Sequence, residues 1–208
     1  MPATRRPVLH HVNLKTTRLD EMIQWYGQVV GCEVVFRFEG GAWLTNDAAN
    51  HRLALLTSSA LTDDGAKLEH AGLHHIAFEY ESLDDLLDEY SRLAELGLRP
   101  HFTVDHGMTT SFYYVDPDGN SVELQVDNFA DWRESTAFMS EAEAFALDPV
   151  GPLVDPELML AMRAEGASAA EIHRLAYAGD LAPEAPMDPR VPLDAGPVPR
   201  TSNQGAMT

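Results

Sequence analysis

The chain has 208 residues, 45% hydrophobic and 23% charged, a composition of globular proteins that suits one ordinary domain with an extension or at most two small domains. Its 14 Lys and Arg against 33 Asp and Glu leave a net charge of −19, which argues against nucleic-acid or anionic-membrane surfaces because both need concentrated cations. A single cysteine, Cys32, rules out an intrachain disulfide and a cysteine-based zinc site.

The two N-terminal arginines are not followed by an apolar run, and no stretch approaches the roughly 18 apolar residues of a membrane span. The expectation is a cytoplasmic protein without a membrane partner.

A repeat begins at Leu9. LHHVNLKTTRLDEMIQWYGQVVG and, from Leu73, LHHIAFEYESLDDLLDEYSRLAELG align without gaps through Tyr26 and Tyr90. Each copy opens with a short alternating run and passes a polar break. Apolar residues then recur at helical spacing, Leu19, Met22, Ile23 and Tyr26 in one copy and Leu83, Leu86, Leu87 and Tyr90 in the other. Each copy therefore predicts a strand followed by a helix.

Behind each helix come three runs rich in β-formers: CEVVFRF, GAWLTN and RLALL, then LRPHFTV, TSFYYV and SVELQV. DPDGN at Asp116 to Asn120 is a strong turn signal, since Pro presets φ and Gly or Asn accepts left-handed dihedrals. The pattern predicts an α+β fold of two paired βαβββ modules, about 8–60 and 70–128. Together they would form a barrel-like curved sheet around a metal site. Helical spacing resumes over 129–180 as a C-terminal extension, and a Pro-rich tail, mobile or draping, follows over 181–208. Phe138, Met139, Leu158 and Met162 are apolar on acid-rich segments, so the extension either covers the barrel mouth or forms the interface of a homo-oligomer.

Strand parity separates the two histidines of each HH pair. His10 shares a face with Val12 and Leu14, and His74 shares one with Ile76 and Phe78; these apolar faces belong under the helices. His11 and His75 then point into the cavity. In the last strand Val122 and Leu124 occupy the apolar face, which leaves Glu123 with the cavity group. Two imidazoles and one carboxylate make a facial triad, which on octahedral iron(II) leaves positions open for substrate and dioxygen.

At this point the chain resembles the vicinal oxygen chelate superfamily, and within it the single-domain type I extradiol ring-cleaving dioxygenases that act on 2,3-dihydroxybiphenyl-like catechols. The residues carrying the resemblance are LHHVNL with the downstream WY, GLHHIAFEYESLDD, NDAANHRLAL and above all HGMTTSFYYVDPDGNSVELQVDNF, with DPVGPLVDPELM beyond them. The resemblance spans roughly residues 8–128. Aligning RLAL with SVEL sets Ala54 against Glu123. Glyoxalase-like and epimerase-like members usually place a carboxylate there as ligand or base, and alanine cannot serve.

The resemblance implies catalytic roles for three more residues. His51 resembles the active-site acid and base, although its parity opposes that of Ala54, so it should lie at the strand mouth. Tyr113 resembles the tyrosine that hydrogen-bonds the bound catecholate, while Tyr114 should pack as core. His106 resembles the histidine standing behind the metal ligands in single-domain members, with His101 the alternative. The implied reaction is extradiol opening of a small catechol by dioxygen at iron(II), with manganese(II) possible on the same ligands. The alternatives are another metal-dependent transferase, isomerase or epimerase of the superfamily, or a metal-free protein that binds aromatic drugs.

Overall fold

The duplicated sequence folds twice into the same strand order. The computed structural model describes residues 6–129 and 131–192, so the last part of the Pro-rich tail, from 193 onward, lies outside the described residues. Two units result, one from residues up to Gly65 with Asp116–Gly119, the other from Ala66–Val115 with the chain from Asn120 onward.

The first unit holds β1 (Val12–Lys15), α1 (Leu19–Val30), β2 (Glu33–Phe38), β3 (Gly41–Thr45) and β4 (Leu53–Leu56). Its sheet runs β1-β4-β3-β2, with β1 and β4 parallel and the other pairs antiparallel. The parallel pair follows from the helical crossover, since adjacent parallel strands need a long connection. Helix α1 buries Met22, Trp25, Tyr26 and Val29, a stripe turned one position from the expected one because Trp25 removes more apolar area from water than Ile23 would. The DPDGN turn closes as expected, with the Gly119 amide donating to the Asp116 carbonyl at 2.9 Å, and the Tyr26 hydroxyl donates to Asp116 Oδ2 at 3.2 Å.

The second unit repeats the scheme with β5 (His75–Tyr80), α2 (Leu83–Glu95), β6 (Phe102–Asp105), β7 (Thr109–Val115) and β8 (Ser121–Asp127), in the order β5-β8-β7-β6. Ser82 caps α2 by accepting from the Asp85 amide at 3.2 Å. Leu83, Leu86, Leu87, Tyr90 and Leu93 form its buried stripe, each leucine stabilising the fold by about 2 kcal/mol. Tyr114 is buried on the helix side of the sheet, as its parity requires.

Among the described residues four helices follow: α3 (Trp132–Glu141), α4 (Glu143–Leu147), α5 (Pro156–Ala164) and α6 (Ala169–Ala178). Between α4 and α5 the chain runs along β6, the edge of the second sheet. The Asp105 amide donates to the Pro152 carbonyl at 3.0 Å and the Val154 amide to the Thr103 carbonyl at 3.1 Å. An otherwise unpaired edge is thereby satisfied. Phe138 is half-buried and packs on Phe129, Phe145 and Tyr177 inside the extension, whereas Met139 and Leu158 are exposed. Residues 181–192 drape over the second unit: Leu181 is buried, Met187 packs on Phe102, Val104, Tyr113 and Leu153, and the Asp188 amide donates to the His101 carbonyl at 3.2 Å.

Candidate metal centre

In the second unit the ladder aligns Ala77, Glu123, Tyr113 and Phe102 across four strands. Residues in register share a face, and so do residues two positions along a strand, so His75 joins this group. Its Nε2 lies 3.1 Å from Glu123 Oε2. The Tyr113 hydroxyl donates to Glu123 Oε1 at 2.8 Å. His106, from the β6–β7 turn, places Nε2 3.0 Å from the Tyr113 oxygen and Nδ1 2.6 Å from the Val150 carbonyl. A carbonyl only accepts, so Nδ1 carries hydrogen there.

These contacts set the charge state of the cluster. Burial pushes the Glu123 carboxyl up, but hydrogen bonds from His75, Ser111 and Tyr113 outweigh it and hold the group below its ordinary value, an ionised carboxylate at neutral pH. Burial, reinforced by the Glu123 charge, pushes the Tyr113 phenol far up and keeps its proton. His106 is lowered, chiefly by burial and against the pull of Glu123, so its neutral form is favoured. A phenol has one hydrogen, which can serve Glu123 or His106 Nε2 but not both at once. The proton of Tyr113 is thus poised between a carboxylate and an imidazole.

His101 is placed elsewhere. Its Nε2 meets Ser121 Oγ at 2.8 Å and its Nδ1 the Asp188 carbonyl at 2.7 Å, and burial lowers its pKa. Of the two histidines between which the sequence left a choice, His106 is the one that reaches the Tyr113 hydroxyl.

The first unit carries the remaining candidates. Both His10 and His11 precede β1, whose first residue is Val12, so the parity expected to bury His10 under the helix does not govern it. His10 is exposed, its Nδ1 3.1 Å from that of His11. His74 is likewise exposed ahead of β5, its Nδ1 2.8 Å from that of His75. His51 lies two residues before β4, at the strand mouth, with its ring 4.4 Å from His11 and stacked on Trp43 at 5.5 Å. Partial burial, then the neighbouring His11 and His10, hold the His51 imidazole below its ordinary pKa. One ring nitrogen from each of His10, His11 and His51 lies within 4.8 Å of the others. The structure therefore brings His75, Glu123, Tyr113 and His106 together in the second unit, and His11 and His51 together in the first.

Register also exposes what parity alone missed. Asn13, Ala54, Trp43 and Phe36 form the rung of the first sheet that corresponds to Ala77, Glu123, Tyr113 and Phe102. Trp43 is thus the counterpart of Tyr113, and with Phe36 and Phe38 it makes an aromatic surface beside His51. Extending the repeat from its first strand to GAWLT and SFYYV would have found it. A second omission, the pair of buried Asp105 with half-buried His173 at 2.8 Å, had no local signal because 68 residues separate its members.

Residues 8–124 match the Glyoxalase/Bleomycin resistance protein/Dioxygenase superfamily. Two relatives from Rhodococcus globerulus align over most of the chain: biphenyl-2,3-diol 1,2-dioxygenase 2 is 40% identical over 88% of this chain and 95% of its own, and biphenyl-2,3-diol 1,2-dioxygenase 3 is 39% identical over 84% and 92%. Among solved structures, a glyoxylase/bleomycin resistance protein/dioxygenase domain from Frankia sp. EAN1pec superposes with a TM-score of 0.51 at 20% identity, covering 62% of this chain and 98% of that one. No helix among the described residues is long and apolar enough to cross a membrane.

Proposed function

Because the chain belongs to the Glyoxalase/Bleomycin resistance protein/Dioxygenase superfamily, we propose that it is an extradiol dioxygenase, which opens a catechol-type ring beside its diol and leaves both atoms of dioxygen in the product. The observation that carries this reading is the buried, ionised Glu123 facing His75 and backed by a Tyr113 phenol that keeps its proton. Relatives named as biphenyl-2,3-diol dioxygenases align over nearly their whole length, which favours a diol bearing a second aromatic ring.

His75 and Glu123 offer one imidazole nitrogen and one carboxylate oxygen, a donor set that fits iron(II) or manganese(II), and His11 supplies the third ligand. Iron is the proposed ion. When bound, it supplies the joint activation of diol and dioxygen. His51, held neutral, accepts a proton from a diol hydroxyl and later returns it. Tyr113 hydrogen-bonds a diol oxygen, with His106 fixing the orientation of its hydroxyl. Trp43, Phe36 and Phe38 offer an apolar wall to the aromatic body of the substrate. Ala54, at the register position of Glu123, puts no carboxylate where glyoxalase-like and epimerase-like members usually carry one.

The test is oxygen uptake with 2,3-dihydroxybiphenyl after anaerobic reconstitution with iron(II) or with manganese(II). Iron is expected to restore uptake and a yellow product. Glu123→Ala and His11→Ala should each lower turnover by more than about 100-fold, beyond the usual cost of losing an outer partner of a metal ligand. Product with manganese alone would overturn the choice of iron, and turnover surviving Glu123→Ala would overturn the site.

A further inference from the structure

Asp105 ends β6 one residue before His106, and its side chain is fully buried. Both carboxylate oxygens are occupied. Oδ1 accepts from the Gly107 amide at 2.8 Å and from Asn128 Nδ2 at 3.4 Å; Oδ2 accepts from His173 Nδ1 at 2.8 Å and from Thr110 Oγ1 at 3.4 Å. The two short bonds join the turn that carries His106 to helix α6 of the extension. The His173 ring is stacked on Tyr177, so α6 presents its donor from a fixed direction.

The turn has little room to adopt another shape. A Cβ at Gly107, whose φ is 84°, would meet Phe138 at 2.6 Å and Tyr177 at 2.9 Å. A Cβ at Gly151, whose φ is 80°, would come 2.0 Å from the Asp105 carbonyl oxygen. Val150, next to it, supplies the carbonyl that fixes His106 Nδ1. His106 is therefore gripped by its chain neighbours on both sides and by its own ring nitrogen. A fully buried carboxylate that loses one of two short donors must find a replacement, and the cheapest rearrangement moves the backbone it already binds.

From this geometry we infer that His173 is a positioning residue of the active site, acting through Asp105 to hold His106 Nε2 against the Tyr113 hydroxyl. The inference rests on the role given to His106 above. It assigns the C-terminal extension a part in the chemistry, because the shorter of the two bonds to Asp105 Oδ2 comes from α6 and the longer from Thr110 of β7.

The test compares His173→Ala, His173→Asn and His173→Gln in the full-length protein. Asparagine can place its amide near the former Nδ1, whereas glutamine reaches toward the position of Nε2. In 15N-histidine NMR of the metal-free protein, the His106 ring signals, assigned with His106→Gln, are expected to move in the alanine and glutamine variants and to return in the asparagine variant. In the iron-loaded protein kcat should fall about tenfold for alanine and glutamine, with KM within about twofold, and recover to within about threefold for asparagine. If alanine fails to fold, the asparagine and glutamine pair decides. His106 signals unmoved in the glutamine variant would overturn the inference. The NMR readout does not depend on turnover, so failure of the dioxygenase reading would show separately, as absence of oxygen uptake by the wild-type protein.

Discussion

The two modules share strand order and crossover helix, yet their site-bearing faces differ. In the second, Phe102 and Tyr113 are 6% and 5% exposed; at the matching positions of the first, Phe36 and Trp43 are 51% and 40% exposed. The sheets themselves do not cause the difference. Residues 152–154 run along β6, and Leu153 and Met187 cover Phe102 and Tyr113. A duplicated unit has thus become asymmetric: one copy carries a buried Glu123 with Tyr113 and His75 against it, and the other keeps an aromatic surface exposed beside His51. Electrostatic interactions strengthen where water is excluded.

The largest expected effect attacks the cover. Gly151→Ala drives a Cβ into the Asp105 carbonyl and should cost about 4 kcal/mol or more in unfolding free energy, measured by urea denaturation; an unchanged midpoint would show that the strap along β6 does not hold as described. Next comes the direct comparison of rungs. Phe102→Ala should cost about 3 kcal/mol, while Phe36→Ala on the open face should cost less than about 1 kcal/mol. Equal costs would mean that the exposed aromatics of the first module are covered in solution.

The smallest effect is in the pH dependence. Burial lowers the His106 pKa in the folded state, so the unfolded chain takes up that proton at higher pH, and stability is lost as pH falls from the ordinary histidine value of about 6.5 toward the folded one. His106→Gln should make this acid loss shallower. His51→Gln should change the slope less, because His51 is far less buried, and a larger change for His51 would contradict the difference between the two faces.

Much of this arrangement was legible from residue order. The HH pairs, the helical spacing after them and the DPDGN turn identified the modules, and alternation in SVELQV singled out Glu123. The placement of His10 was not legible, because parity needs a ladder and the ladder starts at Val12. The choice between His101 and His106 stayed open for a similar reason. Both lie at the ends of β6, where a turn rather than a strand sets direction, and only their contacts with Ser121 and Tyr113 separate them.

Residue order by itself determined the duplicated strand–helix scheme, the candidate ligands and the absence of a carboxylate at Ala54, because these depend on local periodicity and on residue type. Tertiary structure decided which face is covered, which histidine meets Tyr113, and that a histidine in α6 reaches Asp105. Those outcomes depend on contacts between residues tens of positions apart, and no local pattern encodes a contact whose two halves are chosen by packing.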